Sequence, residues 1–162
     1  MKLCLGGGYN CPEGYFNIDI NSKCNPKWMW DLEQGLPKDI LSHSVDEIFT
    51  EHCLEHIENL VPLIQNCFDV LKSGGILRII VPSSHNLIWA MRDPTHKRMF
   101  FDQTFMYFTK TDLVPSYCDF NLIKLNRIKR IIKDPNGEPF EMNREEFSCF
   151  IGEDIHAILQ KP

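Results

Sequence analysis

The 162-residue chain has no apolar run near the roughly 18 residues of a membrane-spanning helix. It has no Cys-x-x-C pair, although it holds seven cysteines. That number is odd, and Cys4, Cys67 and Cys149 sit among apolar neighbours, as buried free thiols do. A disulfide framework is therefore not expected, and reduced cysteines point to a cytoplasmic protein. The sequence carries no Gly-Lys-Ser/Thr, so a phosphate-cradling P-loop is excluded. It has no excess of positive charge: 17 Lys and Arg against 22 Asp and Glu leave a net charge of -5, which disfavours non-specific nucleic-acid binding. The single basic cluster, Lys124, Arg127, Lys129, Arg130 and Lys133, reads as the wet face of a strand, or else as a patch attracting an anionic substrate. No repeat, low-complexity tract or linker divides the chain. The apolar stretch after Met1-Lys2 breaks too soon for a signal peptide. One domain over residues 1–162 is expected.

What is present alternates between strand and helix signals. Lys2–Leu5 is a short apolar run stopped by glycines, the pattern of a buried parallel strand. Tyr15–Ile20 is a second strand after a Pro12-Glu13-Gly14 turn, Lys27–Trp30 a short third and Val45–Thr50 a fourth. Ile57, Leu60, Val61, Ile64, Cys67, Phe68 and Leu71 recur at helical spacing. Pro62 is tolerated only in a first turn, so this helix should start near Asn59 or Leu60. Lys72 should complement its C-terminal dipole and Gly74-Gly75 should end it. Ile76–Val81 follows as a central strand. His85–Arg92 reads as helical until Asp93-Pro94, and Phe100–Leu113 is rich in aromatics. Leu122–Ile132 and Asp154–Leu159 read as two late strands, with a turn at Asp134-Pro135-Asn136-Gly137 between them. The expected fold is α/β: a Rossmann-like, mostly parallel twisted sheet of about seven strands, helices on both faces, and a C-terminal antiparallel edge hairpin.

The chemistry concentrates at the ends of the early strands. Ligands of open α/β sheets bind outside the carboxyl ends of the strands. Gly6-Gly7-Gly8 follows the first strand, and glycines there let a ligand approach the backbone. Asp19 stands near the end of the second strand, where a carboxylate can accept both hydroxyls of a ribose. The dinucleotide fingerprint fails, because position 11 is Cys and Pro12-Glu13-Gly14 leaves no room for its helix. A glycine loop without phosphate chemistry suits a ligand that has a ribose but no phosphates.

These motifs resemble those of class I S-adenosylmethionine (SAM)-dependent methyltransferases. Leu3–Gly8 is similar to the family's glycine motif, Gly14–Asp19 to its acidic second-strand motif, and Asp31-Leu32 to its adenine-contacting segment. Val45–Thr50 with Glu51-His52-Cys53-Leu54-Glu55-His56 resembles the fourth strand and its continuation, and Leu71–Leu77 the entry to the fifth. The motifs keep the family's order over roughly residues 2–82. The sequence departs from the pattern in the Gly-Gly-Gly-Tyr9 loop and in the near absence of the helix after the first strand, a shortening shared with a branch of small methyltransferases that also tends to carry Asp93-Pro94-Thr95-His96-Lys97.

The resemblance implies SAM as cofactor and assigns roles. Leu5, Gly6, Gly7 and Gly8 would bind the cofactor, with Gly6 and Gly8 close to its methionine part. Asp19 would hold the ribose, with Ile20 against the adenine. Asp31 would accept from the adenine amino group, and Leu32 would donate its backbone N–H. Glu51 and His52 would line the methyl end. A base assists methyl transfer to a hydroxyl or protonated amine. His52 and His96 are the catalytic candidates, with Glu51 a third, although either histidine could instead serve a structural role. The acidic charge and small size favour a small-molecule or saccharide-type acceptor over nucleic acid. The acceptor atom and the oligomeric state stay open.

Two other readings compete. A chain with this fold could bind SAM without turnover, as a regulatory or partner subunit. His52-Cys53-Leu54-Glu55-His56 also matches His-x-x-Glu-His, the inverted zinc-peptidase motif of a zinc hydrolase, which on a helix would put two zinc-binding histidines on one face, with Glu55 as base and Glu145 or Glu146 as a nominal third ligand. The motif follows a strand directly, which disfavours a helical zinc site, and no metal is expected. Phe100, Phe101, Phe105, Tyr107 and Phe108 read first as core and second as a lid or acceptor wall, and Trp28 and Trp30 as packing.

Overall fold

A computed structural model describes residues 1–112, 114–131 and 151–162. Its strands are β1 (Lys2–Leu5), β2 (Phe16–Asp19), β3 (Trp28–Met29), β4 (Val45–Glu51), β5 (Leu71–Pro82), β6 (Asn121–Ile131) and β7 (Ile151–Gln160). Helices α1 (Leu60–Val70) and α2 (Leu87–Met91) flank β5. The strands form one sheet in the order β3-β2-β1-β4-β5-β7-β6. β1 to β5 pair in parallel, and β7 pairs antiparallel with both β5 and β6. This is the Rossmann-like sheet with an antiparallel edge hairpin that the strand and helix signals predict.

β1 lies between β2 and β4, and its Leu3, Cys4 and Leu5 are all buried. A parallel strand covered on both faces has no polar side to show, which is why it reads as a continuous apolar run. The core continues through Ile18, Ile48, Leu63, Ile64, Leu77, Ile79, Ile155, Ala157 and Leu159. α1 buries Leu60, Leu63, Ile64, Cys67 and Val70, with Pro62 in its first turn. Burial of that stripe, at roughly 1.5–3 kcal/mol per large apolar side chain, holds the helix on the sheet.

The end of α1 differs from the sequence expectation. The helix stops at Val70, and Leu71 is already extended and paired with Val45. Lys72 pairs with Asp46 at 2.6 Å instead of with the helix end. Gly74 and Gly75 lie inside an irregular stretch of β5, where Asp46 alone of β4 stands opposite the four residues 72–75 of β5. Pairing of Leu71 with β4 takes the chain out of the helix before the glycines are reached. The other connections carry little regular helix: among the described residues only α1 and α2 are α-helical, and 3₁₀ turns stand at Gly8–Asn10, Ser22–Cys24, Leu32–Gln34, Leu54–His56 and Asp102–Phe108.

The aromatic stretch splits: Phe100, Phe105 and Phe108 are core, while Phe101 and Tyr107 are about two-fifths exposed. β6 is the sheet edge, with Lys124, Arg127 and Lys129 exposed along it. Charged side chains on an edge strand discourage pairing with other chains. The Arg130 side chain, Lys133, the predicted turn 134–137, Glu145, Glu146 and Cys149 lie outside the described residues. The six described cysteines are free thiols. Burial pushes the Cys53 thiol up to about 12 and raises Cys4 and Cys67 as well, so these three stay neutral. No described helix is long and apolar enough to cross a membrane.

Candidate cofactor and active site

The glycine loop and the end of β2 are built as one piece. Gly6 N–H donates to Ile18 O at 2.9 Å, Gly7 N–H to Asn17 Oδ1 at 3.1 Å and Gly8 N–H to Asp19 Oδ2 at 2.8 Å. Gly6 has φ +60°, and a Cβ there would overlap the Cys53 side chain. A Cβ on Gly7 would meet Cys4 Sγ and Asn17 Oδ1. Glycine is therefore required at positions 6 and 7 by the protein's own packing. Asp19 is 8% exposed, and its second oxygen accepts from Asn21 N–H at 2.8 Å. A carboxylate offers about four acceptor sites, so two remain for a diol.

Two adjoining cavities open at these strand ends and share Gly6 and His52. One, of about 230 Å³, is walled by Asp19, Ile20, Trp30, Asp31, Leu32 and Ile57 among others. Ile20 is 71% exposed, an apolar side chain standing open beside a buried carboxylate. Asp31 Oδ1 caps the following turn through Glu33 N–H at 3.0 Å, and Trp30 Nε1 donates to Gly35 O at 2.9 Å. The other cavity, of about 390 Å³, is walled by Gly6, Gly7, Gly8, Tyr9, Phe49, Glu51 and His52. Of the residues the sequence singles out, Leu5 alone in the loop faces neither cavity. Its side chain is fully buried beneath the loop.

His52 follows β4 with φ +50°, a conformation that costs an ordinary side chain about 1–3 kcal/mol and clusters at functional sites. Its Nδ1 lies 3.3 Å from Glu55 Oε1 and its Nε2 lies 3.3 Å from Asp154 Oδ2. Glu55 and Asp154 are 1% and 0% exposed. Burial alone would lower the imidazole's pKa, but the two carboxylates outweigh it and raise it to about 9. His52 is therefore a cation at neutral pH. Trp89 from α2 meets the imidazole edge-to-face at 6.2 Å and donates Nε1–H to Asp154 Oδ1 at 2.9 Å. Arg92 sits over the Trp89 ring at 4.0 Å.

His96 lies away from both cavities. Its side chain is 8% exposed, its Nδ1 is 2.6 Å from Ala90 O and its Nε2 is 3.9 Å from Glu55 Oε1. The helix that a His52–His56 zinc pair needs is absent, since Leu54–His56 is a single 3₁₀ turn and His52 points to Asp154. Sequence reasoning did not find Asp154 or Trp89. The available signal was an acidic residue at the start of an otherwise apolar alternation, Asp154–Leu159.

The comparisons agree with this geometry. Residues 23–79 match the family model of a methyltransferase domain. A SAM-dependent methyltransferase from Archaeoglobus fulgidus superposes with a TM-score of 0.69 at 20% identity, covering 99% of this chain and 85% of that one. The chain has the class I SAM-dependent methyltransferase fold. The cofactor that goes with this fold is S-adenosylmethionine, and Asp19 with its two remaining acceptor sites, beside apolar Ile20, Trp30 and Leu32, fits an adenosine. A SAM-dependent methyltransferase from Methanosarcina mazei is also similar, with a TM-score of 0.60 at 16% identity over 99% of this chain and 91% of that one. So is the [4+2]-cyclase SpnF, with a TM-score of 0.62 at 13% identity over 99% and 75%. No curated protein matches the chain in sequence.

Proposed function

We propose that the chain is an active SAM-dependent methyltransferase whose acceptor is a small molecule or saccharide. The observation that carries this reading is the pair of joined cavities at the ends of β1, β2 and β4. One is apolar with a buried carboxylate, and the other is lined by the glycine loop. When bound, the cofactor supplies an electrophilic methyl group on a sulfonium. In this reading Asp19 accepts the ribose hydroxyls, Ile20 lies against the adenine, Asp31 receives its amino group and the Leu32 backbone N–H donates to it. Gly6, Gly7 and Gly8 leave the methionine end close to backbone, with Glu51 and His52 at its far side. The chain's task is then to hold the acceptor in line and to exclude water. The net charge of -5 favours an uncharged or cationic acceptor over nucleic acid.

A second reading, binding without turnover, draws support from His52. Both of its ring nitrogens face buried carboxylates, so neither is placed to take a proton from an acceptor. The same fold in a [4+2]-cyclase illustrates that fold does not dictate reaction. Release of S-adenosylhomocysteine from SAM, measured across a panel of sugar, phenol, amine and carboxylate acceptors, separates the two. Acceptor-dependent release is expected. Saturable SAM binding with no acceptor-dependent release would establish the second reading.

A further inference from the structure

Beside the cofactor cavity lies a group of donors that the reading above does not use. Glu55, His56 and His96 each bring one ligand atom within 4.8 Å of the others. Glu55 is 1% exposed, and its Oε2 is buried with no hydrogen-bond partner among the described residues. An unpaired carboxylate oxygen in the interior is costly unless a donor or a cation meets it.

The two imidazoles are prepared to coordinate. His96 Nδ1 lies 2.6 Å from Ala90 O, and a carbonyl only accepts, so that nitrogen carries a proton and Nε2, 3.9 Å from Glu55 Oε1, is the ring atom open to a metal. Thr95 Oγ1 donates its one proton to Asp93 Oδ1 at 2.7 Å, so its 2.9 Å contact with His56 Nδ1 must be an N–H donating to the hydroxyl. His56 Nε2 is thereby the ring atom open to a metal. Metal-bound histidines almost always spend the other ring nitrogen in this way, on a carbonyl or carboxylate-linked partner. The backbone holds the segments together: Lys97 N–H donates to Glu55 O at 2.8 Å, and Arg98 Nε donates to Ile57 O at 3.0 Å.

We infer that Glu55, His56 and His96 form a binding site for a divalent transition cation of the zinc type. Two imidazoles and one carboxylate are a donor set that Zn²⁺ takes at roughly 2.0–2.2 Å, with a fourth position left for water or a substrate oxygen. The donors would close by about an ångström around the ion. His56 also lines the 230 Å³ cavity, so the cation stands at the cofactor cavity's wall and ties the Asp93–His96 loop to it. The set differs from the helical His52–Glu55–His56 arrangement, because His96 takes the place of His52 and no hydrolytic step is involved. The site does not depend on the cofactor reading.

The test loads chelator-treated protein with Zn²⁺ alone, followed by dialysis and elemental analysis, and repeats the loading with Co²⁺ for visible spectroscopy. One zinc per chain is expected, with a Co²⁺ spectrum free of thiolate charge-transfer bands. His96→Ala and His56→Ala should each weaken zinc binding more than about tenfold. Asp19→Ala should keep its zinc while losing SAM, which separates failure of this site from failure of the cofactor reading. If one histidine variant does not fold, as judged by circular dichroism, the other decides. Substoichiometric zinc, unchanged affinity in the folded histidine variants, or a thiolate band in the Co²⁺ form would overturn the assignment.

Discussion

The Gly8 amide donates to Asp19 Oδ2 at 2.8 Å, which makes the loop after β1 and the carboxylate ending β2 a single unit. The Asn21 amide holds the other oxygen, so Asp19 is fixed in place before any ligand arrives. A pre-oriented acceptor loses little entropy on binding a diol.

Replacing Asp19 with alanine removes that acceptor. SAM affinity should fall about 10- to 100-fold, the value of charge-assisted hydrogen bonds, in a calorimetric titration. Asp19→Asn should be intermediate, because it keeps one acceptor oxygen. An unaltered dissociation constant for Asp19→Ala would remove Asp19 from the ribose role.

Gly6→Ala should cost about 2–4 kcal/mol of stability in urea denaturation. The new Cβ would overlap the Cys53 side chain and force an L residue to φ +60°. Cys53→Ala in the same chain should restore part of the loss, since it relieves the overlap and leaves the backbone strain.

Asp154 accepts from Trp89 and faces His52 with no solvent exposure. Asp154→Ala should destabilise by about 3–5 kcal/mol, because it orphans the buried Trp89 N–H and leaves the half-buried His52 imidazolium short of one carboxylate. Trp89→Phe removes only the N–H donor and should cost about 1–3 kcal/mol. Chemical denaturation of the two variants side by side checks the ordering.

Acid should reveal Glu33. Its oxygens accept from Glu58 N–H at 2.8 Å and Asn59 N–H at 3.0 Å, with Lys97 Nζ at 2.5 Å. The Glu58 amide first, then Lys97 and the Asn59 amide, hold its carboxyl down at about 2, against an ordinary 4.5. A lowered folded pKa stabilises fully above pH 4.5, and the stabilisation is lost as pH falls from there toward 2. Glu33→Gln should flatten the fall of melting temperature over that window. An identical pH profile would show that the carboxylate contributes nothing to the acid limb.

The strands were legible because burial writes itself into composition. Leu3, Cys4 and Leu5, with Val45, Ile48, Leu77, Ile79 and Val81, are buried and must be apolar to sit in the covered parts of the sheet. α1 was legible by its 3.6-residue stripe, but its end was not. Leu71 fits either the helix or β5, and pairing with Val45 decided it. The glycine loop was found for an incomplete reason. Close ligand approach was the sequence argument, whereas Gly6 and Gly7 are also demanded by Cys53, Cys4 and Asn17 across the fold. Asp154, 102 positions after His52, could not be joined to it from sequence, because only the antiparallel pairing of β7 with β5 brings the two together. His96 shows the same limit. A histidine on a predicted loop proves to be packed against Glu55 and Ala90.

The most direct test of the account is thermal unfolding of the intact chain with and without SAM. A ligand held only by the folded state at about 100 times its dissociation constant adds about 2.7 kcal/mol. For a domain of this size that raises the melting temperature by about 5–10 °C. The account predicts such a rise with SAM and with S-adenosylhomocysteine, and little or none for Asp19→Ala. A melting temperature unmoved by millimolar SAM would contradict it.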